Sequence, residues 1–422
     1  MLLSKLFFKL IIFNAALLLA VNVCAQQGAP VPITKIPVDQ KKDSAKVAPV
    51  NNMNGIGKMD IADYLGLLLH RKTVSEVDSI TSKPTISVVP AVGYTLVSRL
   101  ALVVSGNVAF RTGPQSRISN IVASTSYTQN KQFTFPIQTN IWSKDNNYNF
   151  IGDYRFYKYP QSTYGLGSSS NIKDEDPMDY SYFEFYETVL RHITGNLYLG
   201  AGYIYDDHWN ISDKGDLNGT VSDYSRYGKT ANSIASGVTL NGLLDSRDNA
   251  INPSKGGYVN VQYRDNYQFL GSTSPWRSLI VDVRKYYKFP EGSDNVIALW
   301  SYDWLILSGR PGYLDLPSTH WDFNSATGRG YIQSRFKGAQ MVYGEGEYRF
   351  KLTNDGLLGG VAFVNLESFS AAPGTRLQAI QPGYGPGLRV KINKVSDTNI
   401  TIDYGFGSQG SRGLFINVGE AF

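Results

Sequence analysis

The sequence predicts an all-β fold, a 16-stranded antiparallel transmembrane β-barrel with a long sixth extracellular loop. Three observations carry this. From Pro84 onward the chain is a series of short runs in which apolar and polar residues alternate, the two-residue period of strands with one face in lipid and the other in a wet interior. Past the N-terminus no stretch has the roughly 18 consecutive apolar residues that a spanning helix needs. The connections between runs fall into short and long sets that alternate along the chain, the known asymmetry of barrels with tight periplasmic turns and longer surface loops.

The runs are Thr85 to Val92, Leu100 to Arg111, Ile118 to Thr128, Gln132 to Lys144, Asn147 to Lys158, Tyr182 to Ile193, Asn196 to Tyr205 and Ser233 to Leu244. The second half adds Tyr258 to Arg264, Arg277 to Lys288, Val296 to Leu307, Gln340 to Lys351, Leu357 to Leu366, Leu388 to Ile392, Asn399 to Phe406 and Leu414 to Phe422. An even number places both ends of the barrel on the periplasmic side. Alternation is cleanest where Phe133, Phe135, Ile137 and Ile141 oppose Thr134, Gln138 and Asn140, and where Val259, Val261 and Tyr263 oppose Asn260, Gln262 and Arg264. In the sixth run Glu184 and Glu187 fall on opposite faces, which predicts a bulge or a shifted register there. At the seam a first run holding Pro90 meets a last run holding Gly419, and proline offers no ladder donor, so closure there is expected to be weak.

With the first strand running outward, the short turns include Thr194-Gly195, Pro290 to Asp294, Thr353 to Gly356 and Lys394 to Thr398. The long loops are Tyr159 to Asp179, Asp206 to Asn232, Ser308 to Ala339 and Glu367 to Gly383. Residues 1–25 read as a cleavable signal peptide: Lys5 and Lys9, an apolar stretch from Leu10 to Val21, and cleavage after Ala25. Val23 is not the small residue that acylation of Cys24 would want. Residues 26–82 read as a periplasmic linker that includes a short amphipathic helix over Asp60 to Lys72, with acids first and cations last; residues 83–422 form the barrel.

Composition excludes several functions. A net charge of +5 is spread along the strands with no basic run, so a nucleic-acid partner is not expected. Four histidines and one cysteine leave little for a metal site. There is no nucleophile elbow, no paired-histidine motif and no phosphate loop, so neither enzymatic activity nor a cofactor is expected. The acidic loop Asp213 to Gly219 lacks the spacing and closing glutamate of an EF-hand and reads as solvated, as does Asp174-Glu175-Asp176. The inward set Asp153, Arg155, Arg264, Asp282, Arg284, Glu345, Glu347, Arg349, Arg389, Lys391 and Asp403 mixes both signs, so a ladder of pairs across adjacent strands is expected in preference to a selective pore.

Four motifs in order carry a resemblance. Gly328-Arg329-Gly330-Tyr331 sets one charge at the tip of a flexible loop, followed by the strand around Glu345 and Glu347. Phe363-Val364-Asn365 stands in the next strand. Asp245-Ser246-Arg247-Asp248, then Asn252-Pro253 and Gly256, is a turn whose charges can satisfy one another while Pro and Gly set the dihedrals. The chain ends on Phe422. Together these resemble the bacterial surface antigen family, the BamA/TamA-type outer-membrane barrels, over roughly Lys83 to Phe422. The resemblance implies that Arg329, Gly330 and Tyr331 form the tip of a loop locked in the lumen, with Glu347 as the carboxylate partner. The family's second acid is Asn365, beside Phe363, so the lock has lost one charge. Asp245, Arg247, Asp248, Pro253 and Gly256 would make the periplasmic turn, and Phe422 would be the terminal residue of a final amphipathic strand read by the barrel-insertion machinery.

By the same resemblance the partners are outer-membrane lipids, the insertion machinery during biogenesis, and other envelope proteins or further copies of the chain. The family's POTRA domains do not fit into residues 26–82. The expected role is in outer-membrane or envelope biogenesis, in lipid or polypeptide handling; the alternative is a plugged or low-conductance passive channel.

Overall fold

A computed structural model describes residues 59–61, 63–64, 84–95, 97–215, 217, 219–394 and 397–422. The expected signal segment and nearly all of the linker lie outside the described residues, as do Asp216 and Asn218 of the acidic loop. Of the helix expected over Asp60 to Lys72, Ile61, Asp63 and Tyr64 are described, and they are helical.

Alternating sequence becomes strand throughout: β1 (Thr85–Thr95), β2 (Arg99–Arg111), β3 (Ile118–Thr128), β4 (Phe133–Trp142), β5 (Tyr148–Lys158), β6 (Gln161–Thr163), β7 (Asp176–Thr194), β8 (Leu197–Asp213) and β9 (Ser233–Asp245). There follow β10 (Gly256–Asn266), β11 (Trp276–Lys288), β12 (Val296–Gly309), β13 (Gln340–Lys351), β14 (Leu358–Ser370), β15 (Gln381–Asn393), β16 (Thr398–Phe406) and β17 (Arg412–Val418). Sixteen of these build the wall of a nearly closed barrel, each antiparallel to the next. The remaining one, β6, is three residues long and pairs with the outer end of β7. At the seam β17 stands beside β1, and among the described residues no ladder register joins the two.

The outward face is apolar. Ile86, Leu102, Leu240 and Val364 are more than half exposed, and they sit on the same side of the wall as Phe135, Phe150 and Val261. Such a band is a surface that lipid can cover and water covers poorly. Glu187 also faces outward, and the Tyr154 hydroxyl donates to it. The bulge expected between Glu184 and Glu187 is absent: register shifts in β7 lie at Asp179/Ser181 and His192/Thr194, near its two ends. Glu184 points inward and Glu187 outward on a regular strand.

Several element boundaries differ from the sequence reading. β7 and β8 run to 19 and 17 residues, because Tyr180, Tyr182 and His208 continue the inward face into an aromatic layer with Tyr159 and Trp321. β15 begins at Gln381, through a glycine-rich stretch that reads locally as a loop. The last strand ends at Val418 rather than Phe422, since Gly419 turns the chain at φ 92°.

The inward charges are paired, both along single strands and, as expected, across adjacent ones, where Arg389 of β15 meets Asp403 of β16 at 2.5 Å and Arg155 of β5 meets Glu184 of β7 at 3.4 Å. Arg155 grips Asp153 at 2.6 Å and Arg284 grips Asp282 at 2.7 Å, each two residues apart on one face. Arg264 reaches Asp206 of β8 at 2.7 Å. Residues at i and i+2 share a face, so a strand can neutralise its own charge.

At the end of the barrel where the turns are short, the N-terminal segment is tied to two of them. Met59 N–H donates to Asp355 O at 3.1 Å, and the Lys394 ammonium lies 2.7 Å from Asp63. The Lys394 hydrogen bond holds the Asp63 carboxyl below its ordinary pKa. A depressed value means that the pair stabilises docking above the unfolded pKa, about 3.9, and that this is lost as pH falls through the folded value. A spin label at Ile61→Cys should therefore be immobilised at pH 6 and, in Asp63→Asn, mobile at pH 6, with the unaltered pair released only as acid titration passes below the ordinary carboxylate range; equal mobility of the two proteins at pH 6 contradicts the assignment. At the seam, cysteines at Val88 and Ile416 should crosslink in clearly lower yield than the in-register outward pair Val261 and Val281, and equal yields would mean a continuous wall.

Candidate functional site

The connection between β12 and β13, residues 310–339, bonds to the inward face of the wall at widely separated strands. Its tip is Gly328-Arg329-Gly330-Tyr331. Arg329 is 3% exposed, and its guanidinium meets three carboxylates: Asp403 of β16 at 2.5 Å, and Glu345 and Glu347 of β13. The Phe363 ring lies 4.0 Å from its Cζ, a cation–π contact of about 2 kcal/mol when desolvated. Planar N–H groups in a fixed fork can serve several acceptors at once, which an ammonium on a flexible stem does less well.

The sequence reading of one carboxylate and one amide is corrected here. Asn365 does not touch the guanidinium; its Nδ2 donates to the Arg329 carbonyl at 2.9 Å. Charge compensation instead comes from Glu345, two residues before Glu347 on the same face, and from Asp403 on β16. Both residues are in the inward set. Their convergence on one side chain has no local sequence signal, because it depends on how far around the barrel β13 and β16 stand.

The clamp extends toward the short-turn end. Glu347 also accepts from Arg349 at 2.6 Å, and Asp403 from Arg389 at 2.5 Å. Arg389 reaches Glu420 at 2.7 Å, and Glu420 accepts from Asn399 at 2.7 Å. Phe422 follows, 3% exposed, stacked on Trp300 at 5.0 Å, its backbone carbonyl accepting from Arg349 at 3.0 Å. Phe422 is therefore off the final strand and inside the barrel, contrary to the sequence reading. Glycine 419 followed by an acid and a phenylalanine, facing a lumen rich in arginine, is the signal that could have suggested it.

Tyr331 is fully buried and donates to the Pro382 carbonyl at 2.6 Å, while its oxygen accepts from Ser408 N at 2.9 Å. What lets the tip lie so close is a stripe of glycine. On β15, Gly383, Gly385 and Gly387 occupy alternate positions on one face, and Gly405 lies on β16. A methyl group at Gly405 would sit 2.6 Å from the Gly330 nitrogen, and one at Gly383 would sit 2.5 Å from the Arg329 carbonyl oxygen. Glycine repeated at i, i+2 and i+4 strips one face of a strand so that another backbone can approach. That period was legible in the sequence, and the stretch reads as a loop only when its alternation goes unnoticed.

The turn motif lies between β9 and β10. Arg247 chelates Asp245 through Nε and Nη2, both at 2.9 Å, under the ring of Tyr258. Asp248 accepts from Ser254 N at 2.9 Å, Ser254 Oγ at 2.6 Å and Lys255 N at 3.2 Å. Pro253 is buried, and Gly256 has φ 97° with the Ser246 carbonyl against its α-carbon. These groups satisfy the turn and leave no open site. The turn and the Arg329 clamp are brought to different parts of the barrel, so the motifs form no single centre. Among the described residues no group of three or more metal-ligating side chains is present.

Fold and site thus define a large antiparallel β-barrel whose interior is filled by one of its own connections, pinned through a buried arginine. Solved structures of that kind include BamA from Haemophilus ducreyi lacking POTRA domains 1–3, at 12% identity over 82% of this chain and 74% of that one, with TM-score 0.52. CdiB from Acinetobacter baumannii matches at 12% identity, 80% of this chain, 60% of that one and TM-score 0.50. CdiB from Escherichia coli matches at 10% identity, 79% of this chain, 62% of that one and TM-score 0.54. The chain thus spans less than two thirds of either CdiB. At such identities the likeness is one of fold. No family model and no curated protein sequence matches the chain.

Removing one partner from a buried ion pair costs about 3–5 kcal/mol. Arg329→Ala, which strands three carboxylates at once, should lower the temperature of the folded-to-unfolded shift on electrophoresis more than Asp403→Asn does, and Gly405→Ala should destabilise by collision with Gly330. An unchanged transition in Arg329→Ala would mean that the clamp is not structural.

Proposed function

We propose that this chain is an outer-membrane barrel of the BamA/TamA-like surface antigen type, acting in envelope biogenesis through lipid or polypeptide handling at its wall. The observation that carries the reading is Arg329: a loop-borne guanidinium held by Glu345, Glu347 and Asp403 inside the barrel. The fold shared with BamA and CdiB supports the same class. A wide open pore would leave these charges hydrated. Here they are dry and mutually bonded, which fits a barrel that works through its wall. The apolar outer band gives it lipid as a constant neighbour, and the insertion machinery and other envelope proteins are the partners this class implies.

A passive channel, plugged or of low conductance, is the second reading. Beside the clamp, the connection 310–339 and the aromatic layer of Tyr159, Tyr180, Tyr182 and Trp321 occupy the lumen. Purified full-length chain in planar bilayers should be quiet apart from rare flickering, and Arg329→Ala should raise the frequency of openings severalfold. Steady large conductance in the unaltered protein favours the channel. A deletion strain with unchanged envelope permeability and outer-membrane proteome counts against the biogenesis role.

A further inference from the structure

The interior is filled unevenly. Along β7 to β17 most inward side chains are buried, with Asn365, Asp403 and Glu347 at 0, 4 and 2%. Along β2 to β4, Ser105, Asn107, Asn120, Ser124, Gln138 and Asn140 are inward by register and only half-buried. The filling connection therefore lies against one side of the barrel and leaves a solvated lane on the other. Between Ala101 and Trp142, the inward positions of these three strands are hydroxyl, amide or apolar apart from Arg111, which stands at the short-turn end of β2. The segment of the connection around Phe323 approaches β5, beside this lane. Phe323 is 52% exposed, at the start of an exposed run with Asn324 and Ser325, and its carbonyl accepts from Arg155 of β5 at 3.3 Å. At the long-loop end the lane is shut by Val97, Thr128 and Gln132, all buried, with Gln132 Nε2 bonded to Pro160 O at 2.9 Å.

We propose that this lane binds an uncharged oligosaccharide, with Phe323 as its stacking platform. Hydroxyl and amide side chains offer donors and acceptors that match sugar hydroxyls. Asp153, which accepts from Gln138 Nε2 at 3.2 Å, is already neutralised by Arg155, so beyond Arg111 an ion would surrender hydration with no free counter-charge to meet it. An extended peptide would seek a free strand edge, and the β2 to β4 backbones are already committed to ladders on both sides. An exposed ring in an aqueous, amide-lined cleft suits the apolar C–H face of a pyranose. The proposal is independent of the envelope role, since it uses none of the clamp residues.

The test uses the full chain in a detergent without a sugar headgroup, titrated with maltohexaose, a β-mannan hexamer and a β-galactan hexamer, read by saturation-transfer NMR and calorimetry. At least one glycan should bind with Kd below about 1 mM. Phe323→Ala should weaken it at least tenfold and Ser124→Trp should abolish it, while outward-facing Val104→Trp leaves it unchanged. Independently, in a Cys24→Ser background, Ser124→Cys should react with a hydrophilic maleimide, and Ala298→Cys, inward but fully buried, should not. Absence of binding by every glycan, binding unaffected by Ser124→Trp, binding of a Ser/Asn/Gly peptide alone, or an unreactive Ser124→Cys overturns the proposal.

Discussion

The constraint on which the interior depends is that a guanidinium removed from water must be surrounded by acceptors. Arg329 is sealed from solvent, and each acceptor it uses belongs to a strand that must stand at the right height and rotation for the bond to form. Glu345 and Glu347 share one face of β13, and Asp403 faces them from β16. The tip of a 30-residue connection thereby measures the register between wall strands that are not neighbours. Isolated ion pairs on a surface could not do this, because solvent would make their absence cheap. In a dry interior each missing partner leaves an uncompensated charge, so the arrangement is close to all-or-none.

The cations around the clamp extend that constraint. Arg349 and Arg389 share carboxylates with Arg329 on one side and meet Glu420 on the other. This continuous network joins β13, β15, β16 and the segment after β17. The same segment carries Phe422 onto Trp300, whose indole N–H donates to Asp282 at 2.9 Å. Charge and aromatic packing therefore alternate inward from the wall, and neither could be buried without the other.

Much of this was legible in the sequence, and the failures have physical causes. Strand identity and facing followed from alternation in Phe133–Ile141 and Val259–Arg264, because a two-sided wall leaves no freedom in which residue faces which way. The number of wall strands was readable for the same reason. Arg329 was conspicuous because glycines on both sides free its backbone. Its true partners were not: Asp403 lies 74 residues away along the chain, and only barrel closure makes them neighbours. Glu187 was read as a sign of irregularity, whereas a tyrosine hydroxyl from the next strand accommodates it on the outward face. Phe422 was assigned to the last strand on its apolar character, and Gly419 overrode that by turning the chain.

The glycine stripe on β15 and β16 changes what the long connection is. Where β15 is bare at Gly383 and β16 at Gly405, the missing thickness is supplied by the backbone of Arg329 and Gly330 pressed against them. The connection is thus a second layer of wall borrowed from a distant part of the sequence, and it is not a stopper resting in a finished tube. Trimming it would open a thin place between β15 and β16, so length here should be as tightly held as in any strand.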